Sequence, residues 1–439
     1  MSYTPRKKRD RLSYKIILPL LIGCIFIAFF LVRLMKDQEV EKKELFSVCG
    51  FSNEKSEKIL KKEHKDVSEA KDYLFYGESL GIYQDIYTGE NNDGFNAKTM
   101  KLKNICNDKE YSFSMDKAAD RRILLGNLEP GFYEIYVVED LKERRVYMHT
   151  SVNTTMHAVT RNQKNMRIQF LADKELLKDY DVTTNYAYAY LSVSESELEE
   201  DEYDVVLDPS ANDSGITVDY GSVSGVEGHN LIEANESYEA AKLLKTKLEE
   251  KGLKVLILRE KDEIVPTYGE DGRLFKAYDV KAKYYFRLAF ADDKTSANTK
   301  GFTIFYSSHS TGMLASQIGY DFERNTSLKG NTLYMSVFDS TKGVSRSGVN
   351  EGELDKRPVY DSDMYIREVG GKATQAGMYS ENSKTGTATF SKDNLNGIHA
   401  LNIYFCYVSN ESDATYWKSH KEEMIDSLAK SIAVYLDIE

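Results

Sequence analysis

The sequence predicts an α/β sandwich in its carboxyl-terminal half, a small β-sandwich before it, and a transmembrane helix at the amino terminus. Three observations predict this. An uninterrupted apolar run, Ile16 to Val32, follows a cluster of basic residues. From Lys71 to about Glu195, short β-type runs are separated by turn residues. From Tyr203 to the end, strand-like and helix-like segments alternate, the order that builds a layered α/β domain.

The basic tail, residues 1–15, holds Arg6, Lys7, Lys8, Arg9, Arg11 and Lys15. The apolar run after it is near the lower length limit for a spanning helix. A basic flank of this kind holds the amino terminus in the cytoplasm. Arg33-Leu34-Met35-Lys36 follows, where a cleaved signal would show small residues. The reading is therefore an uncleaved anchor over 16–34, single-pass in the cell membrane, with the bulk of the chain extracytoplasmic. Residues 1–36 carry +7 of the net −12, which leaves −19 beyond the anchor. So acidic an ectodomain gives no support for nucleic-acid binding. It also makes attraction to anionic lipid or wall polymer a poor main binding force.

Residues 35–70 are rich in Lys and Glu and read as a charged stalk, helical or partly disordered. Beyond Cys24 in the anchor, Cys49, Cys106 and Cys406 form neither a disulfide framework nor a zinc ribbon. Unpaired thiols are the expectation, with a Cys49–Cys106 bridge as the alternative.

Over 71–195 the expected strands are Tyr83–Tyr87, Tyr111–Met115, Phe132–Val138, Arg145–His149, Met166–Leu171 and Ala187–Val193. Turn chemistry separates them, as in Glu90-Asn91-Asn92-Asp93-Gly94 and Glu129-Pro130-Gly131. Pro130-Gly131 suits the centre of a type II turn. Tyr186, Tyr188 and Tyr190 alternate along one strand face. Sheet packing is the expected role for them, and a glycan-stacking surface the alternative. Ser194 to Glu202 is acidic and reads as a linker.

The second half begins with a strand at Val205–Leu207. Glu233–Lys251 places Ala234, Tyr238, Ala241, Leu244 and Leu248 on one helical face, closed by Gly252. A strand at Lys254–Leu258, a helix at Arg273–Ala282, and strands at Tyr284–Phe290 and Phe302–Tyr306 follow. Met313–Asn325 and Asn331–Phe338 read as helices, Met364–Glu368 and Leu401–Val408 as strands. The last helix carries Ile425, Leu428, Ile432 and Tyr435 at helical spacing.

Several short stretches in this order carry a resemblance. They are Val205-Val206-Leu207-Asp208-Pro209, then Glu233 a helix length before Gly252, then Gly252 to Arg259. Arg273 to Ala277 with Lys281-Ala282-Lys283, Gly301 to Tyr306, Met364 to Arg367 and Val408-Ser409-Asn410 come after them. Over about 203–436 the chain resembles the type 3 N-acetylmuramoyl-L-alanine amidases. Those enzymes cleave the bond between the lactyl group of muramic acid and the first alanine of the wall peptide, using one zinc ion. The resemblance implies an amidase-like domain over 203–439 and a site where the family supplies His, Glu, His and a proton-handling Glu.

On this sequence the first His falls on Ala211, the zinc-binding Glu on Glu233, the second His on Ala289 (Phe290 with a one-residue shift), and the catalytic Glu on Tyr404. A catalytic zinc needs three protein ligands. One carboxylate beside two apolar residues does not supply them, and without zinc water lacks its lowered pKa. Tyrosine, with a pKa of ~10, is a poor general base at neutral pH. Glu233 also suits the first turn of a helix, where it complements the dipole.

A relocated zinc site is the alternative. His229 and Glu233 are spaced i, i+4, and His309 and His399 are the other candidates in this half. Ser307, Ser308 and His309 lack a nucleophile elbow or a positioned acid. Cys406 reads as structural. Tyr379 to Asn396 reads as an insertion before the Tyr404 strand. The expectation is a catalytically degenerate amidase-like protein, without a cofactor, that binds peptidoglycan, a muropeptide or an envelope partner protein. The alternatives are an active zinc amidase with unconventional ligands and a purely structural interaction ectodomain.

Overall fold

The computed structural model describes residues 48–76, 79–85, 95–115, 122–161, 164–174, 178, 183–214, 223–267, 271–307, 312–336, 340–347 and 398–438. The basic tail, the anchor, Glu90–Gly94, Ser308, His309, Met364–Glu368 and Tyr379–Asn396 lie outside them. Among the described residues, no helix is long and apolar enough to cross a membrane.

The first unit contains helix α1 (Asn53–Leu60) and strands β1 (Val67–Ala70), β2 (Asp72–Tyr76), β3 (Ser79–Tyr83), β4 (Thr99–Asn104), β5 (Glu110–Ser114), β6 (Ile123–Leu124), β7 (Gly131–Glu139), β8 (Lys142–Met148), β9 (Val152–Arg161), β10 (Lys164–Ala172) and β11 (Tyr190–Glu195). Eight of them form one sheet. Its order is β1-β8-β7-β11-β10-β9, with β4 on β7 and β5 on β4. A second sheet has the order β2-β3-β6. The two sheets share one apolar core, in which Leu80, Ile82 and Ile123 meet Leu102, Ile135, Val146, Ile168 and Leu191.

Three expectations are corrected by this unit. The segment read as a stalk supplies α1 and β1, and β1 pairs in parallel with β8 from Val67–Arg145 to Ala70–Met148. Charged residues disguise it because only alternate side chains are buried. Cys49 and Cys106 are bridged, with Cα atoms 4.9 Å apart, so two of the three expected free thiols are paired. Pro130-Gly131 is not a type II turn. Gly131 begins β7, and a Cβ there would lie 2.3 Å from the Asn104 amide.

The tyrosines pack rather than display a surface. Tyr188 and Tyr190 are buried around the guanidinium of Arg145, which is itself fully buried. One of its nitrogens donates to the carbonyls of Ile135 (2.7 Å) and Ala189 (2.6 Å). Buried Glu134 lies beside it. Burial alone would raise the Glu134 carboxyl, but His64, Arg145 and Tyr136 outweigh burial and hold it at about 2.

The second unit contains β12 (Val205–Pro209), β13 (Glu227–Gly228), β14 (Leu231–Ile232), α2 (Glu233–Glu249), β15 (Val255–Ile257), α3 (Arg273–Asp279), β16 (Tyr284–Ala291), β17 (Thr303–Ser307), α4 (Met313–Asn325), β18 (Val344–Ser347), β19 (His399–Tyr407) and α5 (Glu411–Leu436). Its main sheet has the order β15-β12-β16-β19-β17-β18. The first four strands are parallel and β17 runs against β19. Helices α2, α4 and α5 bury their apolar stripes on one face, over Leu207, Phe286, Leu288, Ile304 and Ile403. Helix α3 covers Val206, Tyr285 and Ala400 on the other. The expected helix at Asn331–Phe338 does not form over 331–336. The Asn331 side chain instead accepts the Leu333 amide at 2.9 Å and donates to the Tyr407 hydroxyl, favouring a turn.

Charged contacts join the two units. Glu202 accepts from Arg167 of β10, from the Glu199 amide and from Lys281. Lys283 donates to Asp204 and to Asn165 of β10, and burial pulls its ammonium below the usual lysine range. Burial would raise Glu202, but Arg167, the Glu199 amide and Lys281 together hold it at about 2. A carboxylate with a depressed folded pKa contributes stability above its unfolded value and loses it as pH falls through the folded one. Glu134 and Glu202 therefore predict a stability loss between their ordinary 4.5 and about 2. Thermal unfolding across that window checks it; an unchanged midpoint would contradict these assignments.

Candidate functional site

The carboxyl ends of β12, β16 and β19 and the first turn of α2 form one corner of the second unit. After Pro209 the chain turns through Ser210, Ala211, Asn212 and Asp213. Ala211 and Asn212 both take left-handed backbone, with φ of 64° and 47°, a conformation that costs a residue with a Cβ about 1 kcal/mol. The turn is held from below. Arg259 Nε donates to Pro209 O at 3.0 Å, and its Nη2 donates to Ser210 O at 2.9 Å and Ala234 O at 2.8 Å. Arg273 Nη1 donates to Pro209 O at 2.7 Å and Ala211 O at 3.2 Å, and lies 2.9 Å from Asp208 Oδ1. Its Nη2 donates to Thr267 Oγ1, whose hydroxyl and amide bond Asp213.

Both guanidinium groups are buried, and so is Asp208, which also accepts from the Tyr285 hydroxyl. Burial, and then the neighbouring Arg273, pull Arg259 down to about 10. Burial and then Asp208 push Tyr285 well above its ordinary value. These residues form a rigid bed whose product is the shape of the 209–213 turn. The sequence carried a signal for it, since Asp208, Arg259 and Arg273 lie in the stretches of resemblance. Their mutual contacts had none.

Glu233 opens α2 and is buried. Its Oε1 accepts from the Ser210 hydroxyl and, at 3.1 Å, from the Phe290 amide. Its Oε2 accepts from the Val226 amide at 2.9 Å. Gly225 lies between Glu233 and Ala211. A Cβ on it would be 2.3 Å from Glu233 Oε2 and 2.8 Å from Ala211 Cβ, and its φ of +80° already favours glycine. Ala211 and Glu233 are thus brought together.

Ala289 and Tyr404 are paired in register on β16 and β19. Leu288, Phe290, Ile403 and Phe405 lie in the core under the helices, so strand alternation turns Ala289 and Tyr404 to the other face. There the Tyr404 hydroxyl accepts from Asn402 at 3.3 Å, and its ring meets Phe305 edge-on at 6.0 Å. The Phe290 ring packs on Trp417 at 5.0 Å, leaving only its amide for Glu233.

Of the other candidate imidazoles, His229 and His399 stand elsewhere, and His309 lies outside the described residues. His229 is exposed in the turn between β13 and β14, with φ of 46°. Helix α2 starts at Glu233, so the i, i+4 relation proposed for His229 does not arise. His399 begins β19, five residues before Tyr404, and packs at a tilt against Tyr284 at 5.6 Å and edge-on against Tyr435 at 6.3 Å. Cys406 is buried, and burial pushes its thiol well above the ordinary range.

The donors around Glu233 do not fit a zinc ion. They are a hydroxyl and two amides, all donating to the one carboxylate, beside a methyl group and a glycine. Among the described residues, no three His, Cys, Asp or Glu side chains gather where a metal could be held.

Residues 205–434 match the family profile described as N-acetylmuramoyl-L-alanine amidase. No curated protein matches the chain. Similar solved structures include the amidase AmiC2 of Nostoc punctiforme, at 16% identity and a TM-score of 0.36, covering 54% of this chain and 97% of that one. An amidase of Clostridium difficile 630 has 15% identity and a TM-score of 0.37, covering 54% and 98%. Ami1 of Mycobacterium smegmatis has 14% identity and a TM-score of 0.37, covering 56% and 100%.

Proposed function

The chain belongs to the N-acetylmuramoyl-L-alanine amidase family, and from that membership we propose a membrane-anchored envelope protein that binds wall peptide without hydrolysing it. Membership itself supports an amidase-like, peptidoglycan-related function. The degenerate reading is carried by one observation, the corner at Glu233. Hydrolysis in this family's manner needs a metal-activated water. Here the carboxylate accepts three hydrogen bonds, Ala211 offers a methyl group, and Tyr404 stands where a proton-handling carboxylate is expected.

Anchoring rests on the Ile16–Val32 run and its basic flank. The Cys49–Cys106 disulfide supports an oxidising compartment for the residues beyond the anchor. The rigid bed under the 209–213 turn supports a binding role, because it maintains the shape of that turn without contributing a reactive group. Zinc and hydrolysis would accompany each other in the competing reading, and among the described residues no side chain around Glu233 favours it.

Titration of the full chain with soluble muropeptides tests the proposal. Saturable binding is expected. Absence of saturable binding would leave the unit as an interaction surface without a wall ligand. A role in regulating a partner protein would then be the reading to test.

A further inference from the structure

We propose that Glu233 serves this chain as a latch, its carboxylate holding the backbone of residues 223–226 down over the corner where the family's metal would sit. The inference rests on the reading that this corner holds no zinc, and it names what fills the place instead. The segment is fastened on both sides. Val223 O accepts the Asn212 amide at 2.7 Å, and Ser224 O accepts the Ala234 amide at 3.0 Å. Val226 grips Glu233 twice: its carbonyl accepts the Glu233 amide at 3.0 Å, and its amide donates to Oε2 at 2.9 Å.

Gly225 is the residue thereby pressed between Ala211 and Glu233, with no room for a side chain. The opposite oxygen of the carboxylate ties the same latch to the ends of β12 and β16, through Ser210 and the Phe290 amide. One side chain thus joins three segments. The helix start gains as well: α2 has no side-chain cap, and two of its first amides are met by carbonyls of the latched segment. A metal entering here would have to displace Gly225 and take carboxylate lone pairs already given to three donors.

A glutamine at 233 separates this role from bulk packing. It is isosteric, but it has one oxygen and one donor group. It can satisfy either the Val226 amide or the Ser210–Phe290 pair, and the other side then faces an N–H with an N–H. Glu233→Gln in the full chain is expected to keep the fold and to raise hydrogen exchange at the Val226 and Asn212 amides by about tenfold, reporting local opening. Ser210→Ala, which removes one donor, is expected to raise exchange at Phe290 by less, and stands in if the glutamine variant fails to fold.

The same samples are titrated with zinc. Wild-type chain without stoichiometric zinc, and with Val226 exchange unchanged in Glu233→Gln or, should that variant not fold, Phe290 exchange unchanged in Ser210→Ala, would overturn the latch alone. Stoichiometric zinc in the wild-type chain, lost in Glu233→Gln, would overturn both the latch and the degenerate reading beneath it.

Discussion

Replacing Arg273 by methionine will cost the second unit about 3–5 kcal/mol of stability, the usual penalty for removing one partner of a buried ion pair. Arg273 and Asp208 have no exposed side-chain surface. Without the guanidinium, Asp208 keeps the Tyr285 hydroxyl but loses its countercharge, and the carbonyls of Pro209 and Ala211 lose a donor. The chain has a single tryptophan, Trp417, buried between Phe290 and Phe405. Its fluorescence in a urea titration therefore follows this unit directly. Pairing the change with Asp208→Leu should recover part of the loss, since removing both charges costs less than removing one. A loss under about 1 kcal/mol would mean that water reaches the pair and that the bed under the turn is not rigid.

The second large effect belongs to the first unit. Replacing Cys49 and Cys106 together by serine opens a crosslink between positions 57 apart. Loop-closure entropy for that separation amounts to about 4 kcal/mol. Helix α1 should be released first, because it meets the sheet through the small cluster of Leu60, Phe132, Leu171, Tyr188 and Tyr190. Far-UV circular dichroism should show the first unit melting earlier while the Trp417 transition keeps its midpoint. A loss under about 1 kcal/mol would show that Leu60 and β1 hold this end of the chain unaided.

Much of the second unit was legible because its elements are long and periodic. Met313–Asn325 reads from the Leu314, Ile318 and Phe322 stripe and folds with those bounds. Helix α2 begins at Glu233, where the apolar face begins. The strands β12, β16 and β19 are apolar runs, as strands covered on both faces should be. Strand β4 escaped notice for the opposite reason. It buries Met100 and Leu102 but turns Lys101 and Lys103 outward to Glu110 and Glu143, so lysines interrupt its apolar pattern. The disulfide stood in the sequence only as the alternative, because spacing does not specify pairing.

The site divides in the same way. Residue identities at Ala211, Glu233, Ala289 and Tyr404 were available from local resemblance. What Glu233 touches was not, because its three donors come from residues 210, 226 and 290, brought together only by the fold. Arg259 ends one stretch of resemblance and Arg273 begins another. Their burial beneath the 209–213 turn is a tertiary fact.

The most direct test of a metal-free, non-hydrolytic corner is the zinc content of the purified full chain, read by mass spectrometry beside its action on muropeptides. Zinc well below one per chain is expected after dialysis against trace zinc, with no release of peptide from muramic acid. One zinc per chain together with peptide release would contradict it.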